Sequence, residues 1–424
     1  MSTRHFLGVV LVSLTLARTA TGGRIHDAAR SGDQRRLQSA LSNGYRVNER
    51  GPRGETPLIS AAQAGRCRSV ELLLRAGANL DAASDGGYTA LMAAAANGYT
   101  DCVQVLIAAG APLETTCDIG GTALSVAAWA GNVTCVRALL DAGSVVESRD
   151  RSGYTPLMMA ALRDPSCVDE LVRQGANLRA TTSAGETPLT VAISAGNVRS
   201  VQALERAGVY LKAWGPDGES VFTRAARKGN VAAVRTLIAV GADTETRSTD
   251  ADTPLTAATL GGHAECVRPL IKAGANVNAA NRWGYTPLMA IAAHGDMNTL
   301  RLLLDAGARV NAISQRGGTA LMAAALNGNV ECVDALLIAE ADVNLRNNSG
   351  YTAVMAAALN GNAACTQRLV QAGARTDWRG AIGLTAAQLA QTRGAADRNR
   401  GPIIDVLAPT TGTAAVDPSM EYRR

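Results

Sequence analysis

Thr286 to Asn311 reads TPLMAIAAHGDMNTLRLLLDAGARVN, and this stretch decides the fold. Thr286 is suited to cap a helix because its hydroxyl accepts an unpaired backbone N–H, and Pro287 follows where a helix needs no donor. Gly295 and Gly307 each offer a left-handed stop, so the stretch predicts two short helices. Their apolar faces carry Leu288, Ile291, Ala292, Leu300, Leu303 and Leu304. Two short helices cannot bury that much apolar surface alone, so the unit requires neighbours.

The same pattern recurs along the chain every 33 residues, with one interval of 32. An earlier and more polar copy fits residues 23–48. The other copies open at Thr56, Thr89, Thr122, Thr155, Thr187, Ser220, Thr253, Thr286, Thr319, Thr352 and Thr385. A fixed period of this length predicts an array of about twelve stacked repeats over residues 23–408, in which the first and last repeats act as caps.

A 33-residue period with Thr-Pro-Leu, Ala-Ala, Gly and then Leu-Leu before Gly-Ala-Asn closely resembles the ankyrin repeat. Thr-Pro-Leu stands intact at Thr56, Thr155, Thr187, Thr253 and Thr286. The resemblance implies an all-α ankyrin-repeat solenoid of helix-turn-helix units with hairpin-like loops, in a single elongated curved array. It also implies a non-enzymatic scaffold or adaptor that binds a protein partner on the concave face and loop tips.

Composition is compatible with one solenoid. Aromatic residues make up 3% of the chain, so the core must consist of Leu, Val, Ala and Met at close helix spacing. The unbroken period argues against the two or three globular domains that 424 residues would otherwise suggest. The net charge of +5 is spread along the chain and does not by itself indicate a nucleic-acid partner. We expect a monomer.

Residues 1–22 differ in kind from the array. Arg4 and His5 precede an apolar run from Phe6 to Leu16, and small residues follow, which is the layout of a secretory signal peptide. The run is too short to span a bilayer, and no other stretch predicts a membrane span. We predict a secreted protein with a disordered tail over residues 409–424. An organelle transit peptide and a disordered extension stay open, and with them a cytoplasmic or organellar location.

Two Asn-x-Ser/Thr motifs become glycosylation acceptors if a eukaryotic host exports the chain. Asn347 is predicted at a loop tip, where a glycan fits. Asn132 is predicted at the turn before a second helix, where it is less accessible.

The eight cysteines invite a disulfide interpretation, which the alignment of the repeats disfavours. Six of them share one slot on the second helix, whose other occupants are small: Cys102, Cys135, Cys167, Cys266, Cys332 and Cys365. Packed helices lie about 8–10 Å apart, whereas bridged Cα atoms lie closer than about 7 Å. We therefore predict buried free thiols in this row, which suit a reducing compartment better than secretion. Cys67 and Cys117 stand outside the row and are candidates for exposed thiols.

No catalytic, cofactor or metal site is predicted. The sequence has no phosphate-binding loop, no His-Glu-x-x-His and no Gly-x-Ser-x-Gly. No Cys-x-x-Cys or His-rich cluster supports zinc. His26 and His263 occupy positions where the ankyrin resemblance implies a structural role, and His294 is the one histidine left to touch a ligand.

The predicted binding surface has two parts. Large or polar side chains near the ends of the first helices are predicted to face solvent in a docking groove: Trp129, Leu162, Arg163, Arg227, Lys228, Leu260, His294, Leu326 and Leu359. The alternative is that the leucines tuck into the neighbouring repeat.

The second part is the row of loop tips, where Trp and Arg are typical of binding hot spots. It comprises Arg149, Arg151, Trp214, Arg247, Arg282, Trp283, Arg316, Arg346, Trp378 and Arg379. The alternatives are solvated loops diluted by aspartates, or binding of nucleic acid or another polyanion. Polyanion binding would weaken steeply with salt.

Four departures from the pattern predict weak or bent joints. Ser220-Val221-Phe222 replaces Thr-Pro-Leu. Pro269 falls inside a second helix, where it is expected to kink it. Glu340 stands where other repeats stop a helix with Gly. One residue is missing near Arg163-Asp164-Pro165, although Asp164 and Pro165 can still start the following helix.

Overall fold

The computed structural model describes residues 24–209, 219–392 and 400–407. Within these ranges the chain forms two compact units. The first comprises 24–209 and 235–241, and the second comprises 219–234, 242–392 and 400–407. The predicted leader, the predicted tail and Trp214 lie outside the described residues.

The first unit is built from paired short helices. In chain order they are α1 (Arg24–Ser31), α2 (Gln34–Ser42), α3 (Pro57–Gln63), α4 (Cys67–Arg75), α5 (Ala90–Ala96), α6 (Thr100–Ala108), α7 (Ala123–Ala130), α8 (Val133–Asp141), α9 (Pro156–Ala161), α10 (Pro165–Arg173), α11 (Pro188–Ser194) and α12 (Val198–Arg206).

The chain continues with the same pairing. The remaining helices are α13 (Val221–Arg227), α14 (Val231–Ala239), α15 (Pro254–Leu260), α16 (Ala264–Lys272), α17 (Pro287–His294), α18 (Met297–Asp305), α19 (Ala320–Asn327), α20 (Val330–Ile338), α21 (Ala353–Asn360), α22 (Ala363–Gln371), α23 (Ala386–Thr392) and α24 (Arg400–Leu407). The all-α repeat fold is confirmed, whereas the single array over residues 23–408 stays a prediction.

Helix starts and stops follow the sequence pattern. The Thr286 hydroxyl accepts the Met289 N–H at 3.3 Å, and Pro287 occupies the first position of α17. Gly295 and Gly307 adopt the left-handed conformation at φ +83° and +84°. Glu340 also takes a positive φ, +62°, at a position where only glycine avoids a steric cost. Helix α16 continues on both sides of Pro269.

The core lies mainly on the first helices. Leu288, Ile291 and Ala292 of α17 are buried, as are Leu300 and Leu303 of α18. Within each unit, first helices pack against the first helices of adjacent repeats, and second helices do likewise. Each hairpin therefore buries the apolar face that its neighbour presents.

Turn asparagines tie several repeats, each to the one before it. The Asn329 side-chain amide donates to the carbonyl oxygens of Ala292 and Ala293 at 2.8 and 2.9 Å. Asn132 makes the same pair of bonds to Ala95 and Ala96. The last carbonyls of a helix lack the partner that a further helical turn would provide, so these amides supply hydrogen bonds that the helix itself does not.

A disulfide joins Cys67 and Cys102, whose Cα atoms lie 4.8 Å apart, so the predictions for these two cysteines are wrong. Cys67 is the first residue of α4, outside the common slot, whereas Cys102 lies two residues further into α6. Because of this offset, the bond joins residues in the first turns of the two helices, where the Cα atoms lie closer together than packed helix axes do.

Cys117 also departs from its prediction as an exposed thiol, because it is buried beneath the neighbouring loop. A Cβ on Gly87 would lie 2.9 Å from the Cys117 Cα. The five remaining cysteines of the common slot are buried and free, as predicted: Cys135, Cys167, Cys266, Cys332 and Cys365.

Candidate functional site

The predicted groove at the ends of the first helices is only partly exposed. Trp129 is 3% exposed, so its prediction as a solvent-facing side chain is wrong. Leu162, Leu260 and Leu359 are half-buried, which matches the alternative that leucines tuck inward. Of the five large apolar residues in this row, all within the described ranges, only Leu326 is exposed, at 39%.

Trp129 is covered by the next repeat. The guanidinium carbon of Arg163 lies 4.6 Å from the centroid of the indole ring, so Arg163 is exposed on one side and stacked on the ring on the other. Arg163 belongs to the turn from which one residue is missing. This pair therefore stabilises the altered joint between two repeats.

Arg227 is held in a local ion-pair network. Its Nε lies 2.7 Å from Glu219 and its Nη2 lies 2.8 Å from the buried carboxylate of Asp252. Burial lowers the pKa of Arg227, but the hydrogen bonds that it donates to these two carboxylates outweigh burial and raise the pKa. Lys228 beside it is exposed. His294 is exposed, and its Nε2 lies 3.1 Å from the Leu260 carbonyl oxygen.

Consecutive loop tips of the second unit are joined by backbone hydrogen bonds, which we call the tip ladder. The amide nitrogen of Gln315 donates to the Trp283 carbonyl at 2.9 Å, and a Cβ on Gly284 would lie 2.9 Å from that nitrogen. The other rungs run from Arg282 to Asp250, from Asn348 to Arg316 and from Ala381 to Ser349. The tips are thus fixed relative to one another before any partner binds.

Four of the predicted tip residues, which we call the loop arginines, donate side-chain hydrogen bonds to backbone carbonyls of the loops. Arg149 Nη1 donates to the carbonyl of Gly153 at 3.1 Å and to that of Thr181 in the next repeat at 2.8 Å. Equivalent bonds from the other three reach their own loops, and those from Arg247 and Arg346 also reach the next repeat: Arg247, Arg346 and Arg379. Because carbonyls are neutral, each arginine keeps its full charge at the surface.

The remaining tip residues differ in their surroundings. Arg282 pairs with Asp250 at 3.2 Å and lies over the Trp283 ring at 4.8 Å. Trp378 is half-buried between Arg346 and Arg375. Arg151 and Arg316 are exposed, and their guanidinium groups have no hydrogen-bond or ion-pair partner among the described residues.

Large apolar side chains are exposed around the tip ladder. Trp283 is 43% exposed, and Tyr285 is similar. Ile313 is 64% exposed and stands six residues before Thr319, the position that a loop arginine occupies in other repeats. Tyr285 and Ile313 were not predicted as site residues. The sequence signal for Ile313 was that an apolar residue stands at a position where several other repeats have arginine.

The glycosylation motifs have different surroundings. Asn347 is half-exposed, and its Oδ1 accepts the N–H groups of Ser349 and Tyr351 at 3.0 and 2.9 Å. Its Nδ2, the atom that would carry a glycan, makes no bond within the described ranges. At Asn132 the corresponding nitrogen is already bonded to two carbonyls, and a glycan would replace one of its two hydrogens and so break at least one of these bonds.

Other kinds of site are not evident in the part of the chain that the structure describes. There, no group of three or more His, Cys, Asp or Glu side chains is placed to hold a metal ion. Among the same residues, no helix combines the length and apolarity that a bilayer span requires.

The chain matches a family model described as ankyrin repeats (3 copies). The matched segments overlap: residues 25–117, 124–213, 158–248, 205–281, 222–314, 270–347, 289–379 and 321–398. The crystal structure of the human ASB11 ankyrin repeat domain is similar at 26% identity and a TM-score of 0.43, covering 47% of this chain and 90% of that chain. A search of curated proteins finds no match.

Proposed function

This chain belongs to the ankyrin-repeat family, and from that premise we propose that it is a non-enzymatic scaffold that binds a protein partner through the second unit. Ankyrin repeats are in general protein–protein interaction modules. The partner would contact the tip ladder and the ends of the neighbouring first helices, with Trp283 and Leu326 as anchors.

The observation that carries this proposal is the exposure of large apolar side chains that packing does not require. Leu321, at the start of α19, is buried against adjacent helices, whereas Leu326, in its last turn, is 39% exposed. Trp283 is exposed on a loop that is already fixed by backbone bonds. Exposed apolar groups that are held in place and bordered by polar residues mark interaction surfaces.

The physical basis of binding would be preorganisation. The turn asparagines, the loop arginines and the tip ladder fix the loops without a partner. Little conformational entropy is then lost on contact, so more of the gross interaction energy appears as affinity.

Polyanion binding is the second candidate, and the geometry supports it less. Arg247, Arg346 and Arg379 already donate to backbone carbonyls, and Arg282 is paired with Asp250. These bonds hold the loops and occupy part of each guanidinium group, which leaves fewer donors for phosphates.

We also propose that the chain is exported, as its leader sequence suggests. The Cys67–Cys102 disulfide supports an oxidising compartment, because such bonds are rare where glutathione keeps thiols reduced. N-terminal sequencing of the protein from its own cells tests this: a mature chain starting near residue 23 is expected, and an intact Met1 would contradict export.

The binding proposal is tested with the full-length chain and a partner captured by cross-linking and then purified. Replacing Leu326 by Asp should weaken binding by tenfold or more, an effect on the order of a hot-spot residue. The matched control is Ile338→Asp, at an exposed position on the second helix α20. Equal affinity of the two variants would show that this surface is not used. A steep loss of wild-type binding with salt would instead support the polyanion candidate.

A further inference from the structure

The loops of the second unit carry separated charge. The five loops at 247–252, 280–285, 313–318, 346–351 and 379–384 contain five arginines and two aspartates. Both aspartates are already paired, Asp250 with Arg282 and Asp252 with Arg227. Carboxylates such as Glu265, Asp305 and Glu331 lie instead on the second helices.

Four of these arginines therefore have no carboxylate partner among the described residues: Arg247, Arg316, Arg346 and Arg379. Arg316 differs from the other three because its guanidinium group also makes no bond to a carbonyl of any residue that the structure describes. Its five N–H donors are open to solvent at the middle of the tip ladder. An unpaired guanidinium group is well suited to bind a carboxylate through two parallel hydrogen bonds.

Apolar side chains flank Arg316 along the ladder. Trp283, Arg316, Ser349 and Ile382 occupy the same position in four consecutive loops, three residues before the next helix cap. The rungs through Gln315, Asn348 and Ala381 make these loops direct neighbours. Trp283 and Ile382 are both exposed. The ladder thus offers an apolar, a cationic, a small polar and an apolar group in order.

The spacing of these groups selects a conformation for a bound chain. Adjacent repeats are expected about 8–10 Å apart, the usual distance between packed helices. A polyproline II segment rises about 3.1 Å per residue with three residues per turn, so side chains three apart face the same way about 9 Å apart. A β-strand does not fit as well, because residues three apart point to opposite faces.

We infer that the tip ladder binds an extended, acidic protein segment in polyproline II conformation, with a carboxylate on Arg316 and an apolar residue three positions away on Trp283. This inference rests on the proposed function and specifies the chemistry of the partner. A protein segment fits better than nucleic acid, because one fully unengaged arginine between two apolar groups matches an isolated carboxylate rather than a run of phosphates.

The test uses full-length protein and fluorescein-labelled peptides in an anisotropy titration. The probe peptide is Leu-Pro-Pro-Glu-Pro-Pro-Ser-Pro-Pro-Leu, measured with its reversed sequence because the ladder does not fix the direction. Replacing Glu by Gln in the peptide removes the carboxylate, and inserting one Pro before Glu shifts the register. A labelled 20-residue oligothymidylate provides the nucleic-acid comparison.

Arg316→Gln should weaken binding of the Glu peptide by about tenfold, the size expected for a charge-assisted pair. The Gln peptide should bind the wild-type protein as weakly as the Glu peptide binds the Arg316→Gln variant. Its affinity should not fall further when Arg316 is replaced by Gln. The shifted peptide should also bind weakly. Arg301→Gln, at an exposed arginine on the second helix α18, makes the same change in net charge and should leave affinity within about twofold.

The inference is overturned if Arg316→Gln and Arg301→Gln have equal effects, if the shifted peptide binds as well as the probe, or if only the oligonucleotide binds. Binding of the purified partner to the Leu326→Asp and Arg316→Gln variants distinguishes failure of this inference from failure of the proposed function. If Leu326→Asp abolishes its binding while Arg316→Gln does not, the proposed function stands and the acidic-segment inference falls. If neither variant weakens it, both fall.

Discussion

The sulfur atoms of Cys67 and Cys102 are bonded across two neighbouring repeats, 35 residues apart in the chain. Closing a loop of this length restricts the unfolded chain and stabilises the folded state by about 3–4 kcal/mol in the chain-entropy model. Because stability in a repeat array is summed over neighbouring interfaces, the effect should centre on α4 and α6.

We therefore expect dithiothreitol to lower the denaturant midpoint of the first unit, and to speed amide exchange in α4 and α6 but not in α19. The control is Cys67→Ser, whose stability should be the same with and without dithiothreitol. Equal sensitivity of wild type and variant to the reductant would contradict the bond.

The free thiols should be unreactive in the native protein. Burial raises the pKa of the Cys167 thiol to about 12, and that of Cys266, Cys332 and Cys365 to about 11, from an ordinary value of 9.0. Iodoacetamide at pH 8 should leave the six free cysteines unmodified, since thiolate is the reactive form. Mass spectrometry after denaturation should show six modifications without reductant and eight with it.

The same pKa shifts give stability a pH dependence. In the unfolded chain these thiols ionise near pH 9, whereas in the fold they hold their protons to higher pH. Their contribution to stability is complete below about pH 9 and is lost as pH rises toward about 12. A denaturant midpoint that rose between pH 8 and 10 would contradict this sign.

Truncation of one tryptophan should mainly reduce stability, and truncation of another should mainly reduce partner binding. Trp129→Ala removes a side chain that is 3% exposed and should cost about 3–5 kcal/mol of unfolding free energy. Trp283→Ala, at a side chain 43% exposed, should cost less than about 1 kcal/mol but weaken partner binding. Chemical denaturation and a binding titration on both variants measure the contrast. A severe stability loss with Trp283→Ala would show that this residue serves packing rather than recognition.

Glu340 is expected to be a site of strain. At φ +62° a side chain with a Cβ is disfavoured, and the equivalent Gly307 takes φ +84° at no steric cost. Glu340→Gly should raise unfolding free energy by about 0.5–1 kcal/mol, whereas Gly307→Ala should lower it by about 1 kcal/mol. Thermal unfolding of the two variants is the measurement, and loss of stability in Glu340→Gly would refute the assignment of strain.

The period, the helix starts and the helix stops could be predicted from the sequence because each depends on local chemistry. Thr286 caps its own helix, and Gly307 supplies its own left-handed turn. The burial of Trp129 could not, because the group that covers it, Arg163, comes from the following repeat. Helix type and period are local properties, whereas burial depends on the neighbour.

The disulfide and the loop arginines were missed for related reasons. The prediction compared only cysteines at the equivalent position of each second helix, as if all repeats were identical. Cys67 does not occupy that position, whereas Cys102 does. Arginines six residues before a helix cap recur at Arg149, Arg247, Arg346 and Arg379, which was a visible signal of a structural role. Their acceptors become apparent only when the carbonyl positions of the next repeat are known.

The turn asparagines bond in one direction only. Asn329 donates to carbonyls of Ala292 and Ala293, and Asn362 to those of Ala325 and Leu326, residues that leave the ribosome earlier in each case. For these bonds, synthesis from the amino end supplies the acceptor carbonyls before the donor amides. Each of these asparagines can therefore close its hairpin onto a repeat that already exists.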